Sequence, residues 1–156
     1  MHLLGIDVDG VVVDTLTLYK QASPDLEDPL DFWRDENLYD NLVPMEGAVE
    51  KLEQLSKYFG IVFVSRLKGN HHRSKVYFLK KHFPFMTGFV GSHEKWILNR
   101  SLVAMVDDLP ENLKGFDPDK RVWFNSENMV SSLPMGFTLN SWEDFNVSEF
   151  CRDYLK

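Results

Sequence analysis

The chain has 156 residues, enough for one domain that buries roughly 70% of the surface its unfolded form would expose, so a second core is not required. Hydrophobic residues make up 44% and charged residues 26%, a globular balance that excludes an intrinsically disordered chain. The net charge of −7 speaks against a long nucleic-acid partner and against an anionic membrane surface, and any phosphate-bearing ligand has to be met by a local group of cations.

In chain order, the first element is the apolar run Leu3 to Val8, which predicts a strand and carries Asp7 and Asp9 where it runs out into Gly10. Side chains two apart on a strand share a face, so both carboxylates are aimed into one crevice while Val8 packs behind them. An ionised carboxylate in apolar surroundings needs a cation or several donors. A calcium loop is not the answer, because Val11, Val12 and Val13 fill positions where such a loop needs oxygen ligands.

Residues 15 to 44 interrupt the expected alternation. Pro24, Asp25, Asp28, Pro29 and Pro44 punctuate two short helical pieces, Leu16 to Gln21 and Leu30 to Tyr39, which predicts a small helical cap over the strand ends. Asp14 reads as a structural hydrogen-bonder at its start. Phe32, Trp33 and Tyr39 have two readings, rings that stack on a nucleobase or the cap's own small core.

Beyond the cap, Val49, Leu52 and Leu55 mark an amphipathic helix within Met45 to Ser56, followed by a strand from Ile61 to Val64 that ends in Ser65 and Arg66. The cations Lys68, His71, His72, Arg73 and Lys75 come next, as a solvated helix start or a patch that steers an anion toward Ser65. The neighbouring pair His71-His72 lacks a third ligand at metal-binding spacing and reads as solvated loop. A helix from Arg73 to His82 carries Val76, Leu79 and Phe83. A weak strand at Gly88 to Val90 leads past Lys95 to Leu102 to Val106, which ends in Asp107-Asp108. Arg121 to Phe124 is a further strand, and residues 141 to 154 predict a closing helix with Trp142, Phe145 and Phe150 on its apolar side.

Continuous β-branched runs separated by helices predict an α/β fold, a doubly wound, Rossmann-like parallel sheet of about five strands, the whole chain forming one domain with residues 15–44 as the cap insertion. Ligands bind beyond the carboxyl ends of such strands. Two acidic pairs at strand ends put up to four carboxylates on one sheet edge, where only a cation relieves their repulsion. Oxygen ligands without a histidine or thiolate cluster suit Mg²⁺. The Ser65 hydroxyl and the Lys95 ammonium are donors of the kind that phosphoryl oxygens need.

D-V-D-G-V, Ser65 closing an apolar strand, Lys95 and V-D-D, in that order, resemble the four motifs of the haloacid dehalogenase (HAD) superfamily of phosphotransferases. Within it, D-G-V-V-V-D, the F-W pair in a short cap, P-M-E-G-A-V-E-K-L, and the run from Ser65 to Pro84 resemble the 5′(3′)-deoxyribonucleotidase group. Arg66, where that group tends to have proline, and the shortened cap are departures that bear on the substrate. The resemblance implies Asp7 as the nucleophile that becomes an aspartyl phosphate and Asp9 as the acid and base, with a raised pKa. It implies Mg²⁺ held by Asp7, the Asp9 carbonyl and Asp107 or Asp108, and substrate held by Ser65, Arg66 and Lys95, with Phe32 and Trp33 toward the base. The expected activity is hydrolysis of a small phosphomonoester, a deoxyribonucleoside monophosphate first. The alternatives are another phosphomonoester, such as a sugar phosphate or a nucleic acid 3′-phosphate end, and a non-catalytic domain that binds phosphate ligands or a partner. A compact cap leaves a site that a neighbouring subunit of a homo-oligomer could help cover. Cys151 is the single cysteine, so no internal disulfide forms, and no leader or eighteen-residue apolar run is present. Together these predict a soluble, cytoplasmic protein without membrane association.

Overall fold

The computed structural model describes residues 1–67 and 69–156, so Lys68 of the cationic cluster lies outside them. Among the described residues six strands form one sheet, every pair in it parallel: β1 (His2–Ile6), β2 (Phe59–Ser65), β3 (Gly88–Gly91), β4 (Leu102–Asp107), β5 (Arg121–Phe124) and β6 (Phe137–Leu139). Their order across the sheet is β3-β2-β1-β4-β5-β6. The chain builds outward from β1 on one side, then crosses back with β4 to the other. β1 and β4 therefore flank the switch point at which a parallel sheet opens a crevice.

The continuous apolar runs have a direct cause. Every residue of β2 is buried, and alternate side chains feed separate cores: Ile61 and Phe63 pack with Leu4, Ile6 and Phe78, whereas Val62 and Val64 pack with Leu102, Met105 and Trp123. The helices α1 (Thr15–Ala22), α2 (Asp31–Arg34), α3 (Ala48–Ser56), α4 (His72–His82), α5 (Pro110–Leu113) and α6 (Val147–Tyr154) fill the connections. Ala48, Leu52 and Leu55 are the buried stripe of α3. On α4 the buried stripe is Ser74, Lys75, Phe78 and Leu79, with Phe83 buried just past its end; Leu79 and Phe83 are as predicted, whereas Val76 is half-buried and a lysine takes its place on the stripe. Among the described residues no helix is long and apolar enough to cross a membrane.

Three expectations need correction. Phe137–Leu139 adds a sixth strand, a three-residue edge too short to leave a periodic signal. The second helical piece of residues 15–44 is one turn, Asp31–Arg34, and the chain then runs through turns to Leu42. The closing helix spans only Val147–Tyr154, with Asn146 accepting from the Glu149 amide as its cap. Trp142 and Phe145 precede it in a turn, yet both rings are buried beside Phe150 as their apolar character requires.

Trp142 also fastens the loop after β1. Its indole N–H donates to the Val11 carbonyl over 2.7 Å, and its ring lies against Phe124 and Phe145. Trp142→Phe keeps most of the apolar contact but leaves that buried carbonyl without its donor, so unfolding free energy falls by about 1–3 kcal/mol. Denaturant titration with an unchanged slope is the check.

Candidate active site

β1 delivers Asp7 one residue past its last paired position, and the Asp7 amide still bonds the Val106 carbonyl of β4 at 2.9 Å. The two strands thus hold Asp7 beside Asp107, the last residue of β4. After Val8 the chain coils tightly: the amides of Val11, Val12 and Val13 all converge on the Val8 carbonyl, and the Gly10 amide returns to Val13. Gly10 has φ +80°, and a Cβ there would run into the Asp108 carboxylate and Leu16, so only glycine suits the position.

Asp7, Asp107 and Asp108 each offer a carboxylate oxygen, all within 4.8 Å of one another. Burial, reinforced by Asp107, pushes the Asp7 carboxyl up to about 7, and burial with Asp7 and Asp107 nearby pushes Asp108 up to about 8. The cluster is all oxygen and crowded with like charge. This donor set fits a hard divalent cation.

Lys95, in the short 3₁₀ turn Lys95–Leu98, supplies one compensating charge. Its Nζ lies 2.7 Å from Asp7 Oδ1 and 2.7 Å from Asp107 Oδ2. Burial alone would lower the ammonium pKa, but the two carboxylates outweigh it and the pKa is raised. The other oxygen of Asp107 accepts from the Leu109 amide and the Asn112 side chain, both at 3.0 Å. Asp107 is therefore committed to Lys95 and the start of α5. Asp108 is held through its backbone, where its carbonyl accepts from the Trp123 indole at 3.0 Å, and its carboxylate meets Asp7.

Asp9 is turned away from that cluster. Its Oδ1 accepts from the Thr15 hydroxyl at 2.7 Å and the Tyr39 phenol at 2.5 Å, and its Oδ2 accepts from Lys75 Nζ at 2.9 Å. Burial would raise its pKa, yet Lys75 and the two hydroxyls more than offset that and lower it. This overturns the expected upward shift: in the resting arrangement Asp9 is a firmly ionised carboxylate. Tyr39, expected in a base-stacking or cap-core role, is instead buried against Asp9, and burial with that carboxylate raises its phenol pKa.

Lys75 Nζ also donates to Ser65 Oγ over 2.7 Å. Lys75 and His71 are both buried, so the cationic segment is not the solvated patch that its composition suggested, although His72 and Arg73 are exposed. His71 donates through Nδ1 to the Trp33 carbonyl at 2.7 Å, and burial lowers its pKa. Gly69, at φ +74°, lets the chain pass over the same carbonyl, where a Cβ would stand 2.6 Å from the oxygen.

A cavity of about 90 Å³ is lined by the buried Asp7, Ser65, His71, Lys75 and Lys95, by the half-buried Asp9, Leu16, Trp33, Asp108 and Asn112, and by the exposed Arg66 and Leu109. Arg66 is exposed and donates to the Asn112 side-chain oxygen at 2.8 Å. Phe32 does not line the cavity. Its ring packs against Tyr19 and Trp33, with centroids 5.5 and 4.9 Å away. Sequence reasoning passed over Thr15 and Asn112, and it gave Tyr39, His71 and Lys75 roles other than the ones the structure shows. For Lys75 and His71 a signal existed, since they stand four and eight residues before Leu79, Lys75 on the buried stripe of α4 and His71 at the cap in line with it, where a charge needs a buried partner.

A family model described as "5′ nucleotidase, deoxy (Pyrimidine), cytosolic type C protein" matches residues 18–147. No curated protein sequence matches the chain. Among solved structures, an L-2-haloacid dehalogenase is 11% identical with a TM-score of 0.68, covering 97% of this chain and 99% of its own. The HAD-hydrolase YfnB from Bacillus subtilis, bound to magnesium, is 13% identical with a TM-score of 0.62 and 97% coverage of both chains. A HAD-superfamily hydrolase from Ehrlichia chaffeensis is also 13% identical, with a TM-score of 0.60 and complete coverage of both. At these identities the likeness is one of fold. It agrees with the parallel α/β sheet expected from the sequence.

The steric argument at Gly10 is open to a direct check. Gly10→Ala strains the backbone and displaces the Asp108 carboxylate, lowering thermal stability by an amount equivalent to about 1–3 kcal/mol and reducing affinity for added divalent cation. Calorimetric unfolding and cation titration read the two effects.

Proposed function

The chain belongs to the family of 5′ nucleotidase, deoxy (pyrimidine), cytosolic type C proteins, and is accordingly a HAD-type phosphatase of the 5′-nucleotidase kind; we propose that it hydrolyses small phosphomonoesters, deoxyribonucleoside monophosphates first, through an aspartyl phosphate on Asp7. The observation that carries this reading is the convergence of Asp7, Asp107 and Asp108, with carboxylate oxygens within 4.8 Å of one another, beside a cavity lined by Asp7, Asp108, Ser65 and Lys95.

Asp7 is the nucleophile. Lys95, bonded to its Oδ1, neutralises charge as an anionic phosphoryl group approaches, and the other carboxylate oxygen attacks phosphorus. Asp9 takes up the proton that a phosphomonoester monoanion brings, gives it to the departing oxygen as the P–O bond breaks, and then takes one from the water that hydrolyses the intermediate. Ser65 donates its hydroxyl proton to a phosphoryl oxygen, and Arg66 meets the anion at the mouth. Asp7, Asp108 and the Asp9 carbonyl are the residues that would hold Mg²⁺. When bound, the ion would neutralise the acidic cluster and polarise the phosphoryl group. Asp107, whose oxygens are engaged by Lys95, Leu109 and Asn112, has the supporting role.

The cavity is of a size to admit a phosphoryl group, leaving the rest of the substrate at a rim where Leu16, Trp33 and Leu109 offer apolar surface. Residues 15–44 act as the small cap that supplies Leu16 and Trp33 to this rim. A nucleobase stacks on Trp33, and Phe32 supports that ring from behind.

Release of inorganic phosphate from an aryl phosphate is expected to depend on added Mg²⁺ and to drop to background in Asp7→Asn. Equal rates in all three assays would leave only a phosphate-binding domain. The same ion is expected to raise the melting temperature of the wild-type protein but not of Asp108→Asn. For the substrate, kcat/KM across deoxy and ribo, 5′ and 3′ nucleoside monophosphates and sugar phosphates is expected to be highest for a deoxyribonucleotide. A sugar phosphate in first place would redirect the substrate reading while leaving the phosphatase chemistry intact.

A further inference from the structure

Lys75 has no part in the chemistry set out above, yet it is fully buried and spends its ammonium on two groups that do. Its Nζ lies 2.9 Å from Asp9 Oδ2 and 2.7 Å from Ser65 Oγ. A buried lysine needs a partner to remain charged, and one carboxylate would suffice. That it bridges the carboxylate of the loop after β1 and the hydroxyl at the end of β2 gives it a second effect.

The two oxygens of Asp9 are not equivalent. Oδ1 accepts from Thr15 and from Tyr39, which occupies both of its lone-pair directions, whereas among the described residues Oδ2 accepts from Lys75 alone. Oδ2 is thus the oxygen with acceptor capacity to spare, and Lys75 is the group that fixes where it points. The contact with Ser65 acts in a parallel way. The Ser65 hydroxyl donates to the Arg66 carbonyl over a long 3.3 Å, and because the same oxygen accepts from the Lys75 ammonium, its hydrogen is the part left to turn from that carbonyl toward a phosphoryl oxygen in the cavity.

We propose that Lys75 is a positioning residue of this reaction: it makes Asp9 Oδ2 the proton-exchanging oxygen and sets Ser65 to donate to the phosphoryl group. The proposal rests on the reading that Asp9 exchanges a proton with the departing oxygen. That proton moves from Asp9 Oδ2 to the leaving oxygen as its bond to phosphorus breaks, and Asp7 takes the phosphoryl group. Tyr39 holds the opposite oxygen, and its own amide is held by Ser74, the neighbour of Lys75 on α4. The helix therefore sets both sides of the carboxylate.

The dependence of the defect on the leaving group separates this role from a purely structural one. An aryl phosphate such as p-nitrophenyl phosphate leaves as a weakly basic anion and needs no proton, whereas the alkoxide of an alkyl or nucleoside phosphate does. For Lys75→Met, kcat/KM on a nucleoside monophosphate is expected to fall about 100-fold or more, the scale of a general acid's contribution, and on p-nitrophenyl phosphate less than about 10-fold. Lys75→Gln, which keeps a donor in place, is expected to fall between wild type and Lys75→Met, and it carries the test if the methionine variant does not fold. Asp9→Asn, run on the same two substrates, is the reference. Leaving-group contrast in both the Asp9 and the Lys75 variants supports the proposal. Contrast in Asp9→Asn with an equal loss on both substrates, or none, in the Lys75 variants overturns it while leaving the role of Asp9 intact. Absence of contrast in Asp9→Asn removes the proton-exchange reading, and the proposal with it.

Discussion

Lys95 stands between Asp7 and Asp107 at hydrogen-bonding distance from each, and the geometry at this end of the sheet depends on that ammonium. Two carboxylates about 4 Å apart near a protein surface repel by about 4 kcal/mol, and more where water is excluded. The parallel pairing of β1 with β4 nevertheless brings Asp7 and Asp107 together, because consecutive positions of neighbouring strands end at the same edge. One cation on a short 3₁₀ turn makes that closeness tolerable. It leaves Asp108 unneutralised against Asp7, and the donor set that remains suits a second positive charge.

A second buried ammonium, Lys75, does for Asp9 what Lys95 does for Asp7. The site is thus two lysine-carboxylate systems side by side, one on the face toward β4 and one toward α4. Their separation gives different electrostatic surroundings to two carboxylates only two positions apart in sequence. Asp7 sits where burial and neighbouring acids act against its charge, and Asp9 where three donors favour it. Environment divides the labour, since the functional groups are identical.

Much of this was legible in the order of residues. The continuous apolar runs, each ending in a polar group, identified the parallel sheet and the edge at which Asp7, Asp9, Ser65 and the 107–108 pair would meet. Composition misled on α4: Lys75 and His71 looked like members of a solvated basic patch because their partners, Asp9 and the Trp33 carbonyl, are 66 and 38 positions away. Spacing along one helix does not reveal a partner that distant. The direction of the Asp9 shift was missed for the same reason, because Thr15, Tyr39 and Lys75 come from three separate segments. β6 and the short α2 were below the length at which periodicity carries information, and packing on a neighbouring element decides such pieces.

The segment between β1 and α3 has two attachments of different kinds. Through Trp33 it lends an aromatic side chain to the cavity lining, and through Tyr39 it reaches the Asp9 carboxylate. On the proposed function, substrate preference and proton handling both depend on this one stretch of about thirty residues. On that reading, exchange of residues 16–38 with another sequence would alter what is recognised at the rim, a graft that runs through Tyr39 would also detune the chemistry, and the natural boundary for diversification falls just ahead of that tyrosine.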